Sequence, residues 1–450
     1  MISRRLLWHD LDQTFITDFL KLVNKEKHSE IIRQLSDRIV TAQAPIRILD
    51  AIKWDDSVQQ AFFAHGGRCQ PEVNAAYYDR NPLKYDINAL RKTFREIEAD
   101  VVAKLGQSEA AGNIMCRMCR EYRRVLDMLA ARGTPAFAEI ARELYGSSID
   151  VFHVGGPTVA DLGMLLDGSL RNIGEGVFLE KNPKDIPTRA AVTLLQQWLD
   201  RVFTDPAARV RVMESDGIVA DAAAGSDYIK LRANTCFSER DLRALEAHEG
   251  WVHVGTTLNG SLQPTCTFLS KGTPADTITQ EGLAVFIEVV SFNSHPARLR
   301  RIADRIRAIH LAEQGATFLD IFTLLRDEGR SAEEAYSATV RIFRGSTPEE
   351  GPFTKDLAYS KGFVLVYNFF RLAVRRGRLD RIPLLFCGKL AIEDMGTLAQ
   401  LAEAGLVKSP KYLPPPLVDL NALTAWMAYS NFLNQIDLIQ IDADFAPILD

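Results

Sequence analysis

The sequence predicts a predominantly helical α+β protein, and three observations carry that expectation. Apolar residues recur at three- and four-residue intervals through 31–40, 87–105 and 111–132, with charges between them. Two short alternating stretches, Val210-Arg211-Val212-Met213 and Tyr228-Ile229-Lys230-Leu231-Arg232, flank the turn signal Asp216-Gly217 and predict a small sheet. Helical patterning then resumes, with readable start signals, and dominates the rest of the chain.

At 450 residues the chain exceeds one ordinary core, so packed subdomains are expected. We expect a mostly helical region over 1–205 and a region carrying the chemistry over 206–412. A tail and helix packing back on the core are expected over 413–450. A formal charge of −5 gives no argument for nucleic acid or an anionic membrane as partner. The start, Met1 to Asp10, is basic but lacks the sustained apolar segment of a signal peptide. The longest apolar run, 362–374, is broken by Asn368 and Arg371 and is too short to span a bilayer. Six scattered cysteines make no disulfide framework, so a reduced, cytoplasmic protein is expected.

In chain order, the N-terminal helices are punctuated by Gly66-Gly67, Asn81-Pro82, Gly133-Thr134-Pro135 and Gly155-Gly156-Pro157. After the strand candidates, Ser238 with Asp241 reads as a capping box. Its helix carries Leu242, Leu245, His248, Glu249 and Val252 and stops near Asn259-Gly260. A second helix is expected to start at Thr277, with Gln280 completing a T-x-x-Q box, and to run through 284–288. After Pro296, Arg298, Arg300, Arg301, Arg305 and Arg307 interleave with Leu299, Ile302 and Ile306, the pattern of a solvated amphipathic helix. Pro414-Pro415-Pro416 precedes a final apolar helix over 423–433.

The chemistry concentrates in His248-Glu249-Gly250-Trp251-Val252-His253 and in Gln280-Glu281-Gly282-Leu283-Ala284. Two imidazoles and a carboxylate on the next helix are the ligand set of a hydrolytic zinc site, with Glu249 as general base. The spacing carries a condition. Residues at i and i+4 of an α-helix diverge by about 40°, but those at i and i+5 diverge by about 140°. For His248 and His253 to share a metal the helix must widen into a π-bulge around Gly250, whose missing Cβ eases the distortion. A straight helix would instead put Glu246, Glu249 and His253 on one face. Glu281, read as lying in the first turn of its helix, gains from the helix N-terminus. Glu288, two turns further, either orients a ligand histidine or faces solvent. A ligand delivered by a second helix is the arrangement of glutamate-type zincins. The expected fold is therefore a zincin-like core with a small sheet beside the helical N-terminal part. Two histidines and a carboxylate also suit Fe(II), and a metal site kept for regulation without turnover is a further alternative.

H-E-x-x-x-H followed by T-x-T-Q-E-G-L-A resembles the family of microtubule-associated tyrosine carboxypeptidases and the bacterial relatives named for the QEGLA motif, the bacterial branch more closely. Arg132-Gly133-Thr134, Leu144-Tyr145-Gly146, Ile229-Lys230-Leu231-Arg232, Thr257-Leu258-Asn259-Gly260 with Gln263, and Lys355-Asp356-x-x-Tyr359 fit it too, over roughly 40–400. The resemblance implies Zn2+ held by His248, His253 and Glu281, with Glu249 catalytic. It also implies a peptide or protein C-terminus as substrate, although tubulin itself is not expected. Dipeptidyl peptidase III is similar in carrying one extra residue between its zinc-binding histidines.

A carboxypeptidase needs a cation for the terminal carboxylate. Arg344, Lys355 and Lys361 cluster beside Tyr359, the candidate oxyanion donor, and Arg232 lies on the strand before the histidine helix. By analogy with zincins, the 228–236 strand is expected to pair with the substrate backbone. Asn259 and Gln280 border the two helices as candidate caps. Cys116-Arg117-Met118-Cys119 reads as two core cysteines on a helix, and His65 and His153 are isolated loop residues. No phosphate loop or dinucleotide fingerprint is present.

Overall fold

The structure, a computed structural model, describes residues 6–173, 183–218, 220–437 and 441. Helices dominate it, and local chemistry sets their ends. Asp86 accepts hydrogen bonds from the amides of Asn88 and Ala89 to start Ile87–Leu105, and Gly106 ends that helix at a φ of 88°. Ala110–Ala130 follows and buries Ile114, Met115, Met118, Tyr122, Val125 and Leu129, the three-and-four spacing that predicted it. Cys116 and Cys119 are buried on the same helix, as expected of core cysteines. Each large apolar side chain so buried contributes roughly 1.5–3 kcal/mol.

These helices share one hydrophobic cluster with Ile39 of Leu6–Gln43, Phe286 of Pro274–Val290 and Phe370 of Ala358–Arg375. The helix Asn421–Leu433 joins it through Leu423 and Met427. Among the described residues no helix is long and apolar enough to cross a membrane.

Pro274–Val290 and Ala358–Arg375 form the central helix pair. They cross at Gly282 and Gly362, where a Cβ on Gly282 would lie 2.0 Å from the Gly362 carbonyl carbon. The start of Pro274–Val290 differs from the expectation at Thr277. Thr273 and Asp276 form the capping box and Pro274 occupies the first helical position. Glu281 therefore lies in the helix interior, beyond the reach of the N-terminal dipole.

Two small sheets complete the fold. Strands β1 (Ile186–Pro187) and β5 (Cys236–Phe237) pair antiparallel. In the other sheet β4 (Tyr228–Arg232) is central, parallel to β2 (Arg211–Ser215) and antiparallel to β3 (Ala222–Ala224). Ile229 and Leu231 of β4 pack on Leu195, Trp198 and Leu199 of the helix Thr188–Val202. Both edges of β4 are thus occupied by neighbouring strands, and the 228–236 segment has no free edge there for a substrate. The outer edges belong to β2 and β3, and β3 is the one that meets Glu249, through Ala224.

Candidate metal centre

The histidine segment is one rod in three parts: α-helix Glu239–Leu245, π-helix Glu246–Val254 and α-helix Gly255–Ser261. Ser238 and Asp241 form the expected capping box. The π segment is the widening that a five-residue histidine spacing requires. Gly250 lies within it, and its missing Cβ also admits a neighbour: a Cβ there would lie 2.5 Å from Leu199 Cδ2.

With the turn widened, the imidazoles of His248 and His253 meet edge to face, centroids 4.7 Å apart. Their Nε2 atoms lie 3.3 and 3.5 Å from the same oxygen, Oε2 of Glu281. One ligand atom from each of these three residues falls within 4.8 Å of the others, so the group could hold a metal ion. Bonds of about 2.1 Å to a tetrahedral ion put neighbouring ligand atoms about 3.4 Å apart. The two histidine–glutamate separations fit that edge.

The surroundings hold these side chains in place. Glu288 Oε1 is 2.6 Å from His248 Nδ1, which leaves Nε2 turned toward Glu281. Glu288 is fully buried, and Arg298 donates to both its oxygens at 2.8 and 3.0 Å. Burial raises the Glu288 carboxyl, but Arg298 and His248 outweigh it and bring it to about 2. The His248 imidazole is disfavoured as a cation by burial, yet its hydrogen bonds to Glu281 and Glu288 push it up to about 10. Lys355 Nζ sits 2.9 Å from Glu281 Oε1, the oxygen turned away from the histidines. Burial raises Glu281, and Lys355 with the two histidines holds it well below the usual carboxylate range.

Glu249 borders a cavity of about 360 Å³ together with His248, Ala222, Arg232 and Tyr359. Its Oε2 accepts a hydrogen bond of 3.0 Å from the amide of Ala224 on β3. The straight-helix alternative is absent, because Glu246 is buried and paired with Arg243 at 3.1 Å. Tyr359 lies along His248, ring centroids 5.9 Å apart and 25° from parallel, with the Arg305 guanidinium 4.9 Å from its own centroid.

The other expected cations divide. Arg232 lines the cavity and pairs with Asp221 at 2.8 Å. Lys355 is committed to Glu281. Lys361 pairs with Asp150 at 2.7 Å, outside the cavity lining. Arg344 is buried beside Phe353, again outside the lining, and burial lowers it to about 10. The arginine-rich helix is not a solvated face. It is Pro296–Glu313, and Arg298, Arg301 and Arg305 line the cavity. Asp356, part of the Lys355-Asp356-x-x-Tyr359 pattern, is joined at 2.9 Å to Arg341, a residue that nothing in the sequence singles out. Asn259 and Gln280 are not caps. Asn259 clamps the backbones of Phe386, Lys411 and Tyr412, and Gln280 accepts from Thr256 Oγ1 at 2.7 Å. His65 and His153 are exposed and take no part in the cavity lining.

Compared with known proteins, the chain matches a family model described as microtubule-associated tyrosine carboxypeptidase over residues 60–435. No curated protein gives a significant match.

Proposed function

The chain belongs to the microtubule-associated tyrosine carboxypeptidase family, and from that premise we propose that it is a zinc-dependent carboxypeptidase of the zincin kind. The observation that carries this reading is the convergence of both histidine Nε2 atoms on Glu281 Oε2, at 3.3 and 3.5 Å, beside Glu249 in an open cavity.

His248, His253 and Glu281 would hold the ion, which when bound supplies an acidified water and polarises the scissile carbonyl. Glu249 would accept a proton from the attacking water and return it to the leaving amine. The Ala224 amide keeps the Glu249 carboxylate aimed into the cavity. The Tyr359 hydroxyl donates to the carbonyl oxygen as it gains charge. Glu288 fixes the tautomer and orientation of His248, and Lys355 holds the distal oxygen of Glu281, so both act through a ligand. The substrate backbone extends along the free edge of β3, with Arg232 at the cavity wall.

Purified protein is expected to carry about one equivalent of zinc and to shorten peptides of a defined library from the C-terminus, as read by mass spectrometry. Iron in place of zinc, or bound metal with no cleavage across the library, would overturn the reading. Glu288→Gln is expected to weaken metal binding about 10- to 100-fold, because the amide cannot match the charge-assisted bond to Nδ1. Competition with a chromophoric chelator measures this, and an unchanged affinity would remove Glu288 from the site.

A further inference from the structure

The helix Asn421–Leu433 turns one face to the core and another to solvent. Leu423, Met427 and Ser430 are buried, the first two in the cluster shared with Ala358–Arg375. Ala422, Ala425, Trp426, Tyr429, Phe432 and Leu433 are exposed. They fall within an arc of about 120°, a second apolar stripe on the same helix. No charged residue lies between Asp419 and Asp437, so the outer face lacks the charges that a surface helix ordinarily carries.

Trp426, Tyr429 and Phe432 are 43, 72 and 65 % exposed. At ~200 Å² per ring they leave on the order of 400 Å² of aromatic surface in water. Leu433 and Ile436, also exposed, raise the patch to about 500 Å², in the upper range for a monomer. Two such patches face to face remove on the order of 1,000 Å², the size at which an interface becomes specific.

The chemistry of the face selects its partner. A helix that lies on a lipid surface carries Lys or Arg beside its apolar stripe, whereas this one is flanked by Asp419 and Asp437. A second copy fits by shape. In an antiparallel pair with its two-fold axis at Tyr429, residues equidistant from that position face each other. Ala425 then meets Leu433, Trp426 meets Phe432, and Tyr429 meets its own equivalent. Ala422 lies opposite Ile436, just past the helix end. Small side chains oppose large ones and the aromatic rings pair, which is how two faces interlock without voids. None of these residues belongs to the cavity lining, so the pairing does not use the cavity wall.

We propose that this face is a dimer interface, in which the helix Asn421–Leu433 packs antiparallel on the same helix of a second copy. The inference is independent of the peptidase reading.

Sedimentation velocity of the full chain tests it. At micromolar concentration the expected species has twice the 50.3 kDa mass of the chain. Tyr429→Glu and Tyr429→Lys each set like charges across the axis and should sediment as monomers. Mixed one to one, the two variants are expected to associate at least about 10-fold more tightly than either alone, because opposite charges then meet. A variant that failed to fold would not be rescued by mixing. A chain still monomeric at about 100 μM, a dimer that both substitutions leave intact, or a mixture no tighter than its components overturns the proposal. Hydroxyl-radical labelling of Trp426, Tyr429 and Phe432 then names the other occupant. Shielding in a monomer assigns the face to residues 438–450 of the same chain, and full labelling leaves it to a different protein.

Discussion

Glu249→Gln is expected to leave the protein folded and metal-loaded while slowing peptide hydrolysis about 10²- to 10⁴-fold. The variant is nearly isosteric, and its amide oxygen can still accept from the Ala224 amide, which Glu249 Oε2 meets at 3.0 Å. Glu249 stands outside the group formed by His248, His253 and Glu281, so metal content should not fall. What disappears is the ability to take a proton from the attacking water and return it to the amine. The loss should therefore appear in kcat, with KM little changed. Glu249→Ala adds a second defect, because the Ala224 amide then loses its acceptor. Mass-spectrometric rates and metal analysis on the same preparation check both. A kcat within a few-fold of the unmutated value would exclude Glu249 as the base.

The parts of the site that sequence made legible are those whose chemistry is local. H-E-x-x-x-H and Q-E-G-L-A name their own residues, and the five-residue histidine spacing demands a widened helix by geometry alone. The π-helix Glu246–Val254 meets that demand. Ser238 with Asp241 was readable because a cap needs only four residues. The same signal misled at Thr277. That segment holds two overlapping candidates, and Pro274 at the first helical position decides for Thr273 and Asp276. Periodicity predicted the amphipathic helix Pro296–Glu313 but could not say what its arginines face, since Glu288, Asp356 and Tyr359 arrive from other elements. The ion pairs of Lys355 and Lys361 were illegible for the same reason. Their partners, Glu281 and Asp150, lie far away in sequence. The strand β3 is three alanines, with no β-branched or aromatic residue to announce it.

Gly282→Ala is expected to destabilise the fold by about 3 kcal/mol or more and to disable the site beyond that loss. The reason is the crossing of Pro274–Val290 with Ala358–Arg375. A Cβ on Gly282 would lie 2.0 Å from the Gly362 carbonyl carbon and 2.3 Å from its oxygen, while one on Gly362 would lie 1.9 Å from the Ile278 oxygen. These obstacles are backbone atoms, so no rotamer change relieves them and the helices must move apart. Glu281 is the residue before Gly282, and Ala358–Arg375 with the turn before it carries Tyr359 and Lys355. Separation would therefore stretch the 2.9 Å contact between Lys355 and Glu281 and shift Tyr359 from His248. Gly250→Ala is the matched control. Its Cβ would press on Leu199 Cδ2, at 2.5 Å, a side-chain tip and not backbone. A smaller cost of about 1 kcal/mol is expected there. Denaturant melts compare the two variants, and chelator competition reports the ligand geometry. Equal stability and equal metal affinity in Gly282→Ala and the unmutated protein would mean that this glycine is not what lets the two helices bring Glu281, Lys355 and Tyr359 together.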